Sequence, residues 1–234
     1  MPTKISWCDE TVNPLGHGCY GPGGTAEKPK RCSYCYAYKL AKRNMRGCDL
    51  CKQFIPHTHF EQLAKLQEWK KPKKIFVQSM GDLFHDAVPD EWIEQVFNAC
   101  EKAPWHQYLF LTKNPKRYDD LFLPPRKNFW YGTTLESQDI YETRGRELKP
   151  IPKLNYFLSL EPLLSEINFH PYTLKVINWV IIGQQTNPTI VPKDEWVQSI
   201  IDECHKNDVP VFIKEPLYKR FPIQEYPIGL GGTP

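Results

Sequence analysis

The chain has 234 residues, 41% of them hydrophobic and 24% charged, enough for a globular core of ordinary size. Its net charge of +3 is too mild for a nucleic-acid tract or a membrane-surface patch. No apolar run approaches the roughly 20 residues that span a bilayer, which argues against a membrane partner.

The chain opens MPTKISWCDE, without the charged-then-apolar layout of a signal peptide, so a cytoplasmic setting with reduced thiols is expected. Eight cysteines then need an account other than disulfides. Six of them, Cys8, Cys19, Cys32, Cys35, Cys48 and Cys51, fall within the first 51 residues, a clustering that reads as metal ligation. Cys19, Cys32 and Cys35 are spaced C-x12-C-x2-C, with Gly21-Pro22-Gly23-Gly24 in the first gap. Three thiolates suit a [4Fe–4S] cluster that keeps one iron for a small-molecule chelator, since a fully protein-held cluster uses four. The glycines allow a tight fold around a bulky group, and Tyr34 and Tyr36 can shield it from water.

Cys48 and Cys51 form a second pair, C-x2-C, followed by His57-Thr58-His59. Thiolate and imidazole together suit tetrahedral zinc, although the order is not a standard finger spacing. On a strand His57 and His59 would point to opposite faces, so one of them is expected to ligate, with Cys8 as the candidate fourth ligand. The plainer alternative is a loop with a reducible thiol pair, capped at Thr58 or His59 before an amphipathic run to Trp69.

Beyond residue 70 short apolar runs recur: 74–77, 108–111, 129–131, 156–158, 179–182 and 209–213. They are continuous rather than alternating, as in parallel strands buried on both faces. A helix is expected from Asp90, with Trp92, Ile93, Val96, Phe97 and Cys100 on one face. Another is expected from Asp194, with Trp196, Val197, Ile200, Ile201 and Cys204 as its stripe. Cys100 and Cys204 are therefore core residues, and 138–148 reads as a weaker helix.

A polar residue follows each run: Asp82, Lys113, Glu136, Glu161, Gln184 and Lys214. Singly, each is an ordinary turn residue or helix cap. Together they fit the rim of a βα barrel, where strand C-termini carry the active site. One α/β domain covering 1–234 is expected, with 1–60 as its cysteine-rich, cluster- and zinc-binding segment.

The run Cys32-Ser33-Tyr34-Cys35-Tyr36 resembles the second half of the radical S-adenosylmethionine (SAM) signature C-x3-C-x2-C, with the first gap widened from three residues to twelve. Over nearly its whole length the chain is similar to a phage- and bacterium-borne branch of radical SAM-like proteins. The matching phrases are Ile5-Ser6-Trp7 with Asn13-Pro14, Cys35-Tyr36-Ala37, Ser79 to His85, Leu111-Thr112-Lys113, Ser159 to Leu164 and Trp179 to Gly183. Where the branch often has Trp-Thr, this chain has Trp7-Cys8.

The resemblance implies a partial (βα)6 barrel of the TIM type, open on one side. It implies a [4Fe–4S] cluster on Cys19, Cys32 and Cys35, SAM on the free iron, and a 5′-deoxyadenosyl radical. Ser79, Met80, Gly81 and Asp82 would face the SAM amino group, and Gly132, Thr133, Thr134 and Glu136 its ribose, with a reductant such as flavodoxin or ferredoxin as partner. Compact size and the Cys48 to His59 segment look like the queuine lyases, which release 7-aminomethyl-7-deazaguanine for tRNA queuosine salvage. On that likeness Glu161, Gln184 and Lys214 are the candidate contacts to a small 7-deazaguanine substrate. Two rivals are a radical SAM enzyme acting on DNA or a modified nucleotide, and a non-catalytic zinc module built from Cys19, Cys32, Cys35 and Cys48 or Cys51.

Overall fold

The computed structural model describes residues 3, 5–43, 48–149 and 151–231. The chain divides into two compact units, Met1–Pro124 and Pro125–Pro234.

The first unit is built on three parallel strands in the order β1-β2-β3. Strand β1 (Glu10–Val12) leads to helices α1 (Tyr36–Arg43) and α2 (Asp49–Gln53), then to a 3-10 turn at Phe60–Leu63 that continues into α3 (Ala64–Glu68). Strand β2 (Lys74–Val77), helix α4 (Asp90–Glu101), strand β3 (Gln107–Thr112) and the short α5 (Arg117–Asp120) complete it. Ile75, Phe76, Val77, Tyr108, Leu109 and Phe110 are all buried, which is why these runs do not alternate. Helix α4 has Asp90 and Glu91 in its first turn, where carboxylates suit the helix dipole, and buries Ile93, Val96, Phe97 and Cys100. Phe97 meets Phe110 edge-on, with ring centroids 5.3 Å apart.

Strand β1 was not among the six expected runs. Three residues are too few to show a pattern, and Glu10-Thr11-Val12 is fixed as strand by its partner, with Glu10 opposite Ile75 and Val12 opposite Val77.

The second unit has four parallel strands in the order β4-β5-β6-β9. Strand β4 (Phe129–Thr134) is followed by α6 (Gln138–Ile140), which widens into a π-helical turn at Tyr141–Gly145. Then come β5 (Asn155–Leu160), β6 (Trp179–Ile182), the antiparallel pair β7 (Gln185–Thr186) and β8 (Thr189–Ile190), helix α7 (Asp194–Lys206) and β9 (Val211–Ile213). Gly132 lets the β4 backbone approach Phe157, since a Cβ there would sit 2.4 Å from the ring. Strand β9 starts after Pro210, which has no N–H to give the ladder and instead accepts from the Val180 N–H at 3.1 Å. Cys204 is buried on α7, as its stripe implied. Among the described residues no helix is long and apolar enough to cross a membrane.

Candidate functional site

In the first unit the ends of the strands are tied together by side chains. Asn13, just after β1, accepts through Oδ1 from the Met80 N–H at 2.8 Å and the Ser79 hydroxyl at 3.2 Å. Gln78, at φ 64°, accepts from the Leu15 N–H at 3.0 Å and donates to the Gly16 carbonyl at 2.9 Å. Gly18 pairs with Gly81 in a parallel bridge so close that a Cβ on Gly81 would lie 2.3 Å from the Gly18 oxygen. These contacts fix the 13–18 segment against the loop after β2 and deliver Cys19 beside it. Asp82 accepts from the Thr112 hydroxyl at 2.7 Å, the Lys113 N–H at 2.9 Å and the Phe84 N–H at 3.0 Å.

Cys19 and Cys35 pack with Met80 against one small core of Ala37, Ala41 and Phe54. The Cys19 thiol is pushed up to about 12, first by burial, then by the Asp82 carboxylate, with Cys32 and Cys35 adding to it. The three sulfurs and Asp82 therefore share one electrostatic environment, crowded with negative charge once the thiols ionise. A cation bound there relieves the crowding, and ligation releases protons. The Cys35 N–H bonds to the Cys32 carbonyl at 3.0 Å, and Cys35 Sγ accepts from the Tyr38 N–H at 3.3 Å. Tyr36 donates its hydroxyl to the Ser79 carbonyl. Tyr34 accepts from the Lys113 ammonium at 3.1 Å, which also lies over its ring. So Tyr34 is held by Lys113, whose N–H bonds to Asp82, and Ser79 is held through Tyr36.

The second cysteine pair forms a separate group with both histidines. Cys48 Sγ lies 3.1 Å from His57 Nε2 and 3.5 Å from His59 Nε2, and Cys51 Sγ lies 3.6 and 3.7 Å from the same atoms. All four donor atoms fall within 4.8 Å of one another. This corrects the expectation that only one imidazole could join. Residues 57–59 form no strand, and His59 sits at φ −135°, ψ 51°, so both rings turn the same way. Cys8 is not part of the group: it is buried, with its sulfur near the Ile5 carbonyl at 3.7 Å. Cys48 is drawn down to about 6, first by the Cys51 N–H and then by the His59 ring. Cys51 is raised by burial, and His59 is raised by its bonds to Cys48 and Glu61.

In the second unit the remaining candidates follow neighbouring parallel strands. Glu136 follows β4 and is buried in an ion pair with Arg144 at 2.6 Å; the same guanidinium donates to the Thr134 carbonyl. Thr133 and Thr134 are buried, as is Gln184 after β6. Glu161, after β5, pairs with Lys214, after β9. Gly183 brings its backbone against Glu161, where a Cβ would lie 3.1 Å from the carboxylate carbon. Arg144 and Glu61 were missed in the sequence. Neither carries a local signal, because each matters through a partner fixed by the fold.

Residues 2–218 match the family model described as "Protein of unknown function (DUF5131)". The chain belongs to that family. The DUF5131 match covers every residue placed above, Cys8 and Lys214 included. No curated protein matches the chain. Among solved structures, it is similar to spore photoproduct lyase complexed with dinucleoside spore photoproduct, at 11% identity over 87% of this chain and 76% of that one, with a TM-score of 0.49.

Proposed function

We propose that this DUF5131 chain is a radical SAM enzyme in which Cys19, Cys32 and Cys35 hold a [4Fe–4S] cluster. The observation that carries the reading is that Cys19 and Cys35 pack with Met80 against one small core, with Asp82, Cys32 and Cys35 all acting on the Cys19 thiol. The donor set fits the group: three thiolates leave one iron for SAM, and the half-buried, negatively charged setting favours a cationic metal centre. The glycine contact between Gly18 and Gly81 fits it too, because it lets Cys19 enter without a side chain in the way. When bound, cluster and SAM supply homolytic cleavage of SAM and a radical able to take a hydrogen atom. The chain's own part is to orient and to exclude water. Asn13 and Tyr36 hold the Ser79–Met80 backbone, Asp82 fixes Lys113, and Lys113 holds Tyr34. Anaerobic reconstitution should give a broad visible absorbance that Cys35→Ala abolishes; a colourless protein that turns over SAM would end the reading.

For the substrate we propose a 7-deazaguanine base of the queuine type. Glu161, Gln184 and Lys214 support it, as polar groups at strand ends of the second unit. A carboxylate accepts two hydrogen bonds from an N–H and amino edge, and such pairing discriminates strongly. Because Glu161 is ion-paired with Lys214, base recognition has to share that contact. Reduced enzyme with SAM and queuine should yield 5′-deoxyadenosine and 7-aminomethyl-7-deazaguanine. If SAM is cleaved while queuine persists, the substrate is wrong and the class stands.

A further inference from the structure

We propose that Cys48, Cys51, His57 and His59 bind one structural zinc ion, and that this ion anchors the arm of chain carrying Cys19. The zinc site stands without the cluster reading; only its consequence for Cys19 ligation rests on it.

The sulfur–nitrogen separations are those of a tetrahedral site. With Zn–S near 2.3 Å and Zn–N near 2.0–2.1 Å, tetrahedral angles put sulfur and nitrogen about 3.5 Å apart. The four sulfur–nitrogen separations run from 3.1 to 3.7 Å. Thiol–imidazole hydrogen bonding alone does not explain four such approaches. His57 Nδ1 faces the Ile55 carbonyl at 2.8 Å and His59 Nδ1 faces the Glu61 carboxylate at 2.6 Å, so each Nδ1 carries the proton. In the metal-bound form each ring offers a lone pair at Nε2, whereas any one proton among these four atoms serves a single sulfur–nitrogen contact well. One central cation satisfies all four. The Nδ1 bonds are the outer contacts that orient metal-bound imidazoles. Both sulfurs also accept a backbone N–H, Cys48 from Cys51 and Cys51 from His17, each at 3.4 Å, which favours thiolate. Two thiolates and two imidazoles select zinc and leave no open position for catalysis.

What the ion fixes is the 14–18 segment. The His59 N–H bonds to the Pro14 carbonyl at 2.6 Å, and the His17 N–H bonds to Cys51 Sγ. Gly16, at φ +60°, lies so close that a Cβ would sit 2.6 Å from His57 Cε1 and 2.8 Å from His59 Cδ2. A Cβ on Gly18 would strike the Ile55 carbonyl carbon at 2.3 Å. The next residue is Cys19. Without the ion, imidazoles and thiols are free to turn, and the arm loses its support.

The test is metal analysis of the purified full-length chain, with Cys48→Ser, His59→Ala, Cys8→Ser and Cys35→Ala variants. About one zinc per chain is expected in the wild type, Cys8→Ser and Cys35→Ala, falling at least about tenfold in the other two. Cobalt added to metal-stripped wild type should give the strong d–d bands of a tetrahedral thiolate site, a readout that does not depend on whether a variant folds. Removing zinc should speed hydrogen exchange at the His17 amide by about tenfold or more. Zinc that persists in Cys48→Ser and His59→Ala, or wild type that binds neither zinc nor cobalt, overturns the proposal. Loss of iron with zinc retained in Cys35→Ala concerns the cluster alone and supports two separate sites.

Discussion

Cys48 is exposed and its thiol is drawn down to about 6 by the Cys51 N–H and His59, whereas Cys19, in the same unit, is half-buried and pushed up to about 12 by desolvation and by Asp82. The first belongs to a set of four donors already at metal-binding separations, with outer contacts holding each ring. The second feels a carboxylate and two further sulfurs, and in the proposed reading these three sulfurs are one protein ligand short of a closed cluster. A complete neutral-plus-anionic set of N and S donors suits a fixed ion. An incomplete, anionic, shielded set suits a group that brings its own charge and shares its coordination with a small molecule.

The largest way to break this contrast is to remove a sulfur from the trio. Cys32→Ala or Cys35→Ala should lose essentially all reconstituted iron while zinc content stays near the wild-type value; metal analysis decides it. Next, Cys51→Ser or His57→Ala should lose zinc and lower the melting temperature of the chain. Each kcal/mol lost shifts it by roughly 2–4 °C at this size, and differential scanning calorimetry reads the change. A control lies in the second unit: Arg144→Met strands Glu136 in a buried site and should cost about 3–5 kcal/mol in denaturant unfolding. Zinc and iron contents should nonetheless hold, showing that metal content does not merely follow stability. The smallest effect is Asp82→Asn, which spoils the acceptor for the Lys113 N–H and costs about 1–3 kcal/mol.

The same substitution sharpens the electrostatic half of the contrast. A thiol reacts as its thiolate, so in metal-free protein Cys48 alkylates once the pH rises past about 6, and Cys19 only as it approaches about 12. Removing the Asp82 charge lowers the Cys19 value, so its alkylation midpoint should move to lower pH while that of Cys48 stays in place. Mass spectrometry of alkylated peptides across pH measures both.

Much of the fold was legible because buried parallel strands announce themselves. Ile75 to Val77, Tyr108 to Phe110 and Val180 to Ile182 are continuous apolar runs, and the α4 and α7 stripes closed on Cys100 and Cys204 as read. Strand β1 and the β7–β8 pair were not, since two or three residues hold no period and depend on a partner. The cysteine spacing singled out the Cys48–Cys51 pair that the structure brings together with both histidines. The joint use of both histidines was not legible, because residues 57–59 are not extended and loop backbone conformation is not written in residue type. Arg144 reaches Glu136 from a π-helical turn, a geometry with no sequence pattern to betray it.

The central claim concerns three sulfurs that hold a cluster with one iron left to SAM. The direct measurement is electron paramagnetic resonance of the anaerobically reconstituted, reduced chain with and without SAM. The account predicts about four irons per chain and a spectrum that changes when SAM is added. An iron-free protein in which Cys19, Cys32 and Cys35 all remain open to alkylation after reconstitution would contradict it.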